Sequence, residues 1–330
     1  MKFVFAEFPE TKDRDMSTEI ALLPEGSEVG VAVYDENDLE SYYKALEDAD
    51  AICSGFAPLD RACIDRLKNC KIISVQATGY NFVDYDYCRE KGISVCAIGE
   101  YCTQEVADHT MMLILALEKR LPYIQRRVNI EKEWEIETIQ PLGMQSIWGQ
   151  TLGIIGFGKI GRATALRAKA FGMNVIANDP YIDPQWFKVL GVEQVTVDEI
   201  LARSDVISLH MNLTRENTCM IRKEHFQRME KKPFFINTAR GGLVDEQAMF
   251  EALDEGLVMG IGLDVLTSET PDLNEIPIVG RENVIITPHS AFYSDTSIEA
   301  CERISAENMV YYLNGQPEKV FKIVNGVYGK

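Results

Sequence analysis

Three residues far apart in the chain have side chains that work together in carbonyl chemistry: Arg240 in INTARGGLVDE, Glu269 in GLDVLTSETP and His289 in ITPHSAF. A guanidinium holds a carboxylate bidentately and polarises a neighbouring carbonyl. A carboxylate beside an imidazole stabilises the protonated ring, which a proton donor near neutral pH requires. Each residue follows an apolar run of strand type, FFINT (234–238), MGIGLDV (259–265) and NVIIT (283–287). In a parallel sheet the carboxyl ends of successive strands open on one cleft, so the three fit a single site.

The second chemical pattern is GFGKIG, Gly156 to Gly161. Gly156 permits the tight turn, Gly158 lets the backbone approach a pyrophosphate, and Gly161 lets the following helix pack on the strand, whose N-terminus supplies amide donors. The motif by itself is weak. Here it follows the strand TLGII, opens the helical pattern KIGRATALRAKAF, and precedes a second strand, NVIAN, that ends at Asp179, 179 − 161 = 18 residues past the last glycine. A carboxylate there accepts from a ribose 2′-OH and repels a 2′-phosphate, which favours NAD(H) over NADP(H). The competing reading of Asp179 is an N-cap-like residue in the turn Asn178-Asp179-Pro180.

Four histidines occur. His109, in the first half of a long helical pattern, and His225, in the charged stretch RKEHFQRMEKK, read as structural or solvated. His210 ends the run DVISLH and either touches nicotinamide ribose or only finishes a strand.

These residues need a frame to hold them. Before residue 100 the runs KFVF (2–5), AIC (51–53), IISV (72–75) and ISV (93–95) alternate with the helical patterns DRACIDRLK and DYDYCREKG, a small α/β unit without a phosphate loop. TQEVADHTMMLILALEKR (103–120) reads as a connecting helix. From Thr151 a second strand–helix series implies a parallel, doubly wound sheet, and the helical pattern TSIEACERISAENMVYYLNG follows Ser294. At 330 residues, two domains are the better expectation.

A net charge of −18 argues against nucleic acid or an anionic membrane as the main partner. Eight cysteines without a C-x-x-C pair, and histidines without metal spacing, read as reduced thiols in a cytoplasmic protein with no metal site. No stretch approaches membrane-spanning length, and the N-terminal apolar run is too short for a signal peptide.

In order and spacing GFGKIG with Asp179, SDVISLHMNLT, NTARGGLVDE, GLDV with Glu269, and TPHSAF resemble the D-isomer-specific 2-hydroxyacid dehydrogenases. The resemblance extends through ATGYNFVDYDYCREKGISVC (77–96) and the connecting helix. Within the family, HSAFYSDTSIEA and GQTLGIIGFGKIGRATALRAKAFGMNV look closest to the branch that includes the C-terminal-binding proteins, NAD(H)-dependent corepressors that retain a dehydrogenase site. The chain departs from many members at Asn212, where they have proline, and at Thr270, which separates Glu269 from Pro271.

The resemblance implies two Rossmann-like domains, a cofactor domain of 103–293 inserted into a substrate domain of 1–102 and 294–330. NAD(H) would meet Thr78 and Val106, the cradle Gly156, Phe157, Gly158, Lys159, Ile160 and Gly161, then Asp179 with Pro180. On the nicotinamide side it would meet His210, Met211, Asn212 and Asn217, the turn Thr238, Ala239 and Arg240, and Asp264, His289 and Ala291. A 2-oxo acid would set its carboxylate against Thr78, Gly79, Tyr80 and Arg240, its side chain near Phe56, Tyr101 and Phe292. His289, paired with Glu269, would deliver the proton that makes the D-2-hydroxy acid.

It also implies a homodimer through the cofactor domain, around the connecting helix and the apolar stretch 123–148, whose Trp134, Ile136, Ile139, Leu142, Ile147 and Trp148 would otherwise be exposed. Two functions stay open on the sequence, a 2-oxo acid reductase and an NADH-sensing regulator with little turnover. A relative acting on phosphite would keep a similar triad.

Overall fold

A computed structural model of the chain describes residues 1–138 and 144–329. The backbone divides into two compact units, Met1–Tyr101 with Ser294–Lys330, and Cys102–Tyr293.

The first unit is built on five parallel strands, β1 (Lys2–Glu7), β2 (Glu28–Val33), β3 (Ala51–Ser54), β4 (Ile72–Val75) and β5 (Ser94–Ala97), in the order β2-β1-β3-β4-β5. Side-chain alternation sends Phe3, Phe5, Ala51, Cys53, Ile72 and Cys96 to one face, against Met309 and Tyr312 of the helix Asp295–Leu313. Val4, Ile52, Ile73 and Val95 face the other way and pack with Tyr42 and Leu46. A sheet covered on both faces reads as unbroken apolar runs, which is why β3, β4 and β5 are legible from composition. Three helices on this unit open on an aspartate whose carboxylate accepts an amide of the first turn: Asp38 from Ser41, Asp60 from Cys63 and Asp84 from Tyr87.

One strand escapes the sequence reading. In EVGVAV Val29 and Val31 point outward at 37% and 39% exposure and only Ala32 is fully buried, so this edge strand has no buried apolar run to announce it.

The second unit carries seven parallel strands, β6 (Thr151–Ile155), β7 (Asn174–Asn178), β8 (Glu193–Gln194), β9 (Val206–Leu209), β10 (Phe234–Asn237), β11 (Gly260–Leu263) and β12 (Val284–Ile286). Their order is β12-β11-β10-β9-β6-β7-β8, so the winding reverses between β6 and β9. That reversal is the switch point at which ligands bind in this architecture. One face is covered by the helices Thr103–Glu118 and Lys159–Ala170, whose Met111, Leu113, Leu117, Ala165 and Ala168 pack with Ile154 and Ile236. β8, two exposed residues at the sheet edge, also escapes the sequence reading.

In the stretch 123–148, Trp134, Ile136 and Trp148 are exposed at 89%, 69% and 76%, with neighbouring Ile130 at 74%. Ile147 packs on the core instead, and Ile139 and Leu142 lie outside the described residues. None of the eight cysteines forms a disulfide. Among the described residues no helix is long and apolar enough to cross a membrane.

Candidate active site

The glycine turn follows β6 directly. Gly156 has φ +96, and a β-carbon there would lie 2.6 Å from the carbonyl carbon of His210, so backbone freedom and backbone contact both demand glycine. A β-carbon on Gly161 would lie 2.2 Å from the Gly156 oxygen, which shows how closely the helix presses on the turn. Gly158 is different. A β-carbon there would meet nothing within 4 Å, so internal packing gives no reason for glycine. Open space at that point suits a pyrophosphate drawn close to the backbone, with the N-terminus of the Lys159–Ala170 helix lacking any side-chain cap.

At the end of β7 Asp179 is pinned against this turn, one carboxylate oxygen accepting from the Phe157 amide at 2.8 Å and the other from Tyr181 at 2.9 Å. A carboxylate has about four acceptor positions, and these two amides occupy two of them. His210, at the end of β9, donates its amide to Ile155 at 2.8 Å and sets Nε2 3.0 Å from Ser208 Oγ. Burial pushes its imidazole down to about 4, so the ring is neutral at physiological pH. In the loop beyond it, Asn217 accepts from the Thr214 amide at 2.7 Å and donates to the Asn212 carbonyl at 2.8 Å.

The three candidate catalytic residues stand beyond adjacent strands. Arg240 follows β10 in extended backbone, its carbonyl accepting from Asn237 Nδ2 at 2.9 Å and its Nη1 donating to Ala239 at 2.7 Å. Gly241 abuts the loop after β11: a β-carbon on it would lie 2.1 Å from the Leu266 carbonyl. The Arg240 turn and the loop that carries Glu269 therefore touch backbone to backbone.

Glu269 Oε2 lies 2.8 Å from Nδ1 of His289, which follows β12. The bond to His289 holds the Glu269 carboxyl below its ordinary range, with the charges of His289 and Arg240 adding to it and partial burial opposing. The pair commits Nδ1 of His289 to Glu269. A cavity of about 460 Å³ opens beside the pair, walled mostly by apolar groups such as Leu266, Leu273, Val279 and Ile286. The Phe292 ring stands edge-on to His289, with centroids 6.4 Å apart.

Beneath this pair lies a buried carboxylate. Asp264, 1% exposed, accepts from Thr287 Oγ1 at 2.5 Å and from the amides of Ser290 and Ala291 at 2.9 Å each. Thr287 and Ser290 have no part in the sequence reading, although both sit in the quoted ITPHSAF. His109 is not solvated: its side chain is 15% exposed and its Nε2 lies 2.9 Å from Thr287 Oγ1. His225 accepts from the Arg222 amide at 3.2 Å, a local helix contact.

In the first unit the candidate substrate residues also follow strand ends. Phe56, after β3, is 44% exposed and tilts against Phe82. Thr78, Gly79 and Tyr80 form the turn after β4, with Tyr80 edge-on to Tyr85 at 5.2 Å, and Tyr101 follows β5. Val106 is buried on the Thr103–Glu118 helix of the second unit.

Comparison with known proteins agrees with this geometry. Residues 111–291 match the family described as D-isomer specific 2-hydroxyacid dehydrogenase, NAD binding domain. A glyoxylate reductase of Korarchaeum cryptofilum is 34% identical over 274 residues, 82% of each chain. A hydroxypyruvate reductase of Blautia hydrogenotrophica is 34% identical over 87% of this chain and 90% of its own. Among solved structures, the D-lactate dehydrogenase of Aquifex aeolicus, crystallised with NAD and lactic acid, superposes with a TM-score of 0.84 at 30% identity, covering 98% of this chain and 99% of that one. These likenesses reach the family and do not single out the corepressor branch.

Proposed function

The chain belongs to the D-isomer-specific 2-hydroxyacid dehydrogenases, NAD-dependent oxidoreductases acting on a CH–OH group, and from that premise we propose that it reduces a small 2-oxo acid to the D-2-hydroxy acid. The observation that carries this reading is the 2.8 Å pairing of Glu269 with His289, beyond the two strands that follow the Arg240 strand in the sheet. The names of its relatives point to acids of the size of glyoxylate, hydroxypyruvate and pyruvate.

When bound, NADH supplies the hydride that reduces the carbonyl carbon. The chain supplies position and charge. Arg240 grips the substrate carboxylate and draws electron density from the adjacent carbonyl. His289 gives its Nε2 proton to the carbonyl oxygen as that oxygen gains charge, and Glu269 stabilises the protonated ring before the transfer. The cradle Gly156–Gly161 holds the cofactor's pyrophosphate, and Asp179 takes the ribose hydroxyls and disfavours a 2′-phosphate. The turn Thr78–Tyr80 supplies further carboxylate donors, and Phe56, Tyr101 and Phe292 meet the substrate side chain, on the strength of the resemblance.

The same reading makes the protein a homodimer through the exposed apolar stretch around Trp134 and a resident of the cytoplasm.

The deciding experiment follows NADH oxidation with a panel of 2-oxo acids from glyoxylate to branched and aromatic examples, with His289→Ala as control and chiral analysis of the product. Turnover of one class, absent in the variant and yielding the D acid, supports the proposal. An L product refutes the stereochemistry. Tight NADH binding with no turnover of any acid refutes the reductase and turns the reading to an NADH-sensing regulator.

A further inference from the structure

One helix reaches the turns that carry two of the three candidate catalytic residues, Arg240 and His289. His109 and Thr110 are neighbours on Thr103–Glu118. Thr110 Oγ1 lies 2.9 Å from Thr238 Oγ1, just before Arg240. His109 Nε2 lies 2.9 Å from Thr287 Oγ1, just before His289.

Proton counting gives the second contact a direction. The Thr287 hydroxyl has a single proton, which it donates to Asp264 Oδ1 at 2.5 Å. Its oxygen must then accept from His109, so the hydrogen sits on His109 Nε2. Burial favours the neutral ring at His109, although Asp264 pulls the other way.

Asp264 carries the constraint onward. Its carboxylate accepts the amides of Ser290 and Ala291, and its carbonyl accepts that of His289 at 2.8 Å. The residue so enclosed is strained: His289 has φ +51, in the left-handed region that a side chain with a β-carbon rarely adopts. Such a conformation persists only where its surroundings over-determine it, and hydrogen bonds on both sides of His289 do so here. A residue chosen only to fill this space would be apolar, whereas His109 is largely enclosed, with a donor aimed at a hydroxyl whose own hydrogen is already committed to Asp264.

We propose that His109 is a positioning residue for proton transfer: through Thr287 and Asp264 it holds the His289 turn in the backbone conformation that aims the imidazole at Glu269 and at the substrate carbonyl. The proposal rests on the dehydrogenase reading for its kinetic consequence, and on the turn alone for its structural one.

The test compares the full-length wild type with His109→Ala, His109→Gln and Thr287→Val. Glutamine places an amide donor near the reach of Nε2, so it separates loss of the hydrogen bond from loss of the ring. Reduction of glyoxylate and hydroxypyruvate by NADH is measured, and nitrogen NMR of labelled histidine side chains is recorded without cofactor or substrate, the His289 signals being assigned by their absence in His289→Ala.

In His109→Ala and Thr287→Val, kcat falls by about tenfold or more while KM for the oxo acid stays within about threefold, because a misaimed donor slows proton transfer more than it weakens binding. The Nδ1 signal of His289 loses its hydrogen-bonded character in the same two variants. His109→Gln recovers most of both. The proposal is overturned if the His289 signals are unchanged in His109→Ala and Thr287→Val, if His109→Gln is as impaired as His109→Ala, or if the lost activity only tracks a smaller folded fraction in thermal unfolding. A wild type that turns over no acid of the wider 2-oxo acid panel would sink the reductase reading on its own. The NMR comparison then still decides, unchanged His289 signals overturning the positioning role and altered ones supporting it.

Discussion

Individual side chains in this site are matched to tasks by shape and by charge. Arg240 offers a planar fork that a lysine cannot reproduce, so Arg240→Lys keeps the charge and would lose the bidentate grip proposed for it. Steady-state kinetics should show kcat/KM down by about a hundredfold, one or two charge-assisted bonds at roughly 1.5–3 kcal/mol each. Glu269 keeps its charge into acid because its carboxyl is held below the ordinary range. The support it gives the imidazole is therefore complete at neutral pH and fades only as pH falls through that lowered value. In Glu269→Gln the support is absent at every pH, and the alkaline limb of the kcat/KM profile for reduction should move to lower pH; an unmoved limb would separate Glu269 from the proton donor. Asp179→Ser removes the carboxylate beside Phe157 and Tyr181 and should raise the preference ratio of NADPH over NADH by about tenfold or more, measured with both cofactors at a fixed oxo acid.

Elements hold these side chains through contacts that a single strand or helix could not make. Gly241 sets the β10 turn on the β11 loop, and Asp264 at the end of β11 ties down the turn after β12. The first unit has its own tie. Arg14, between β1 and β2, pairs with Glu7 at 2.8 Å, with fully buried Glu19 at 2.7 Å and with Glu302 of the Asp295–Leu313 helix at 3.4 Å. Glu19 in turn accepts from Gln76 at 3.1 Å, at the start of the turn that carries Thr78. Burial, aided by Glu19, pushes the Glu302 carboxyl up. Arg14→Met leaves Glu19 buried without its cation and should destabilise the protein by about 3 kcal/mol in urea unfolding. A loss under 1 kcal/mol, roughly that of a surface pair, would deny the cluster its structural role.

For the whole molecule the consequences are association and acid stability. Ile130, Trp134, Ile136 and Trp148 expose much of their surface on one short stretch, more than a solitary chain keeps in water without penalty. Sedimentation should find a dimer for the wild type at micromolar concentration and a monomer for a Trp134→Glu, Ile136→Glu double variant; a wild-type monomer would end the proposal. His210 bears on acid stability because burial takes it from 6.5 to about 4. The unfolded chain therefore binds a proton that the folded chain refuses, and stability present above 6.5 is lost as pH falls toward 4. The urea midpoint of the cofactor-free protein should drop between neutral pH and pH about 5, and His210→Gln should lessen that drop.

Local pattern determined a good deal of this protein. Strands with both faces covered show as apolar runs, a phosphate turn needs glycine at fixed spacing, and charged residues after strand ends stand out, so β6, β10, the cradle, Arg240, Glu269 and His289 were all visible in one dimension. Edge strands β2 and β8 were not, because a strand that buries little carries no hydrophobic signature. Nor did any local pattern connect His109 with Thr287, a contact spanning 178 positions, or show that Asp264 would hold the turn after β12. Only the tertiary structure decided those pairings, because hydrogen bonds between turns are set by strand order and helix placement. The left-handed backbone at His289 belongs to the same class: it is imposed from outside the residue, by the carboxylate beneath it.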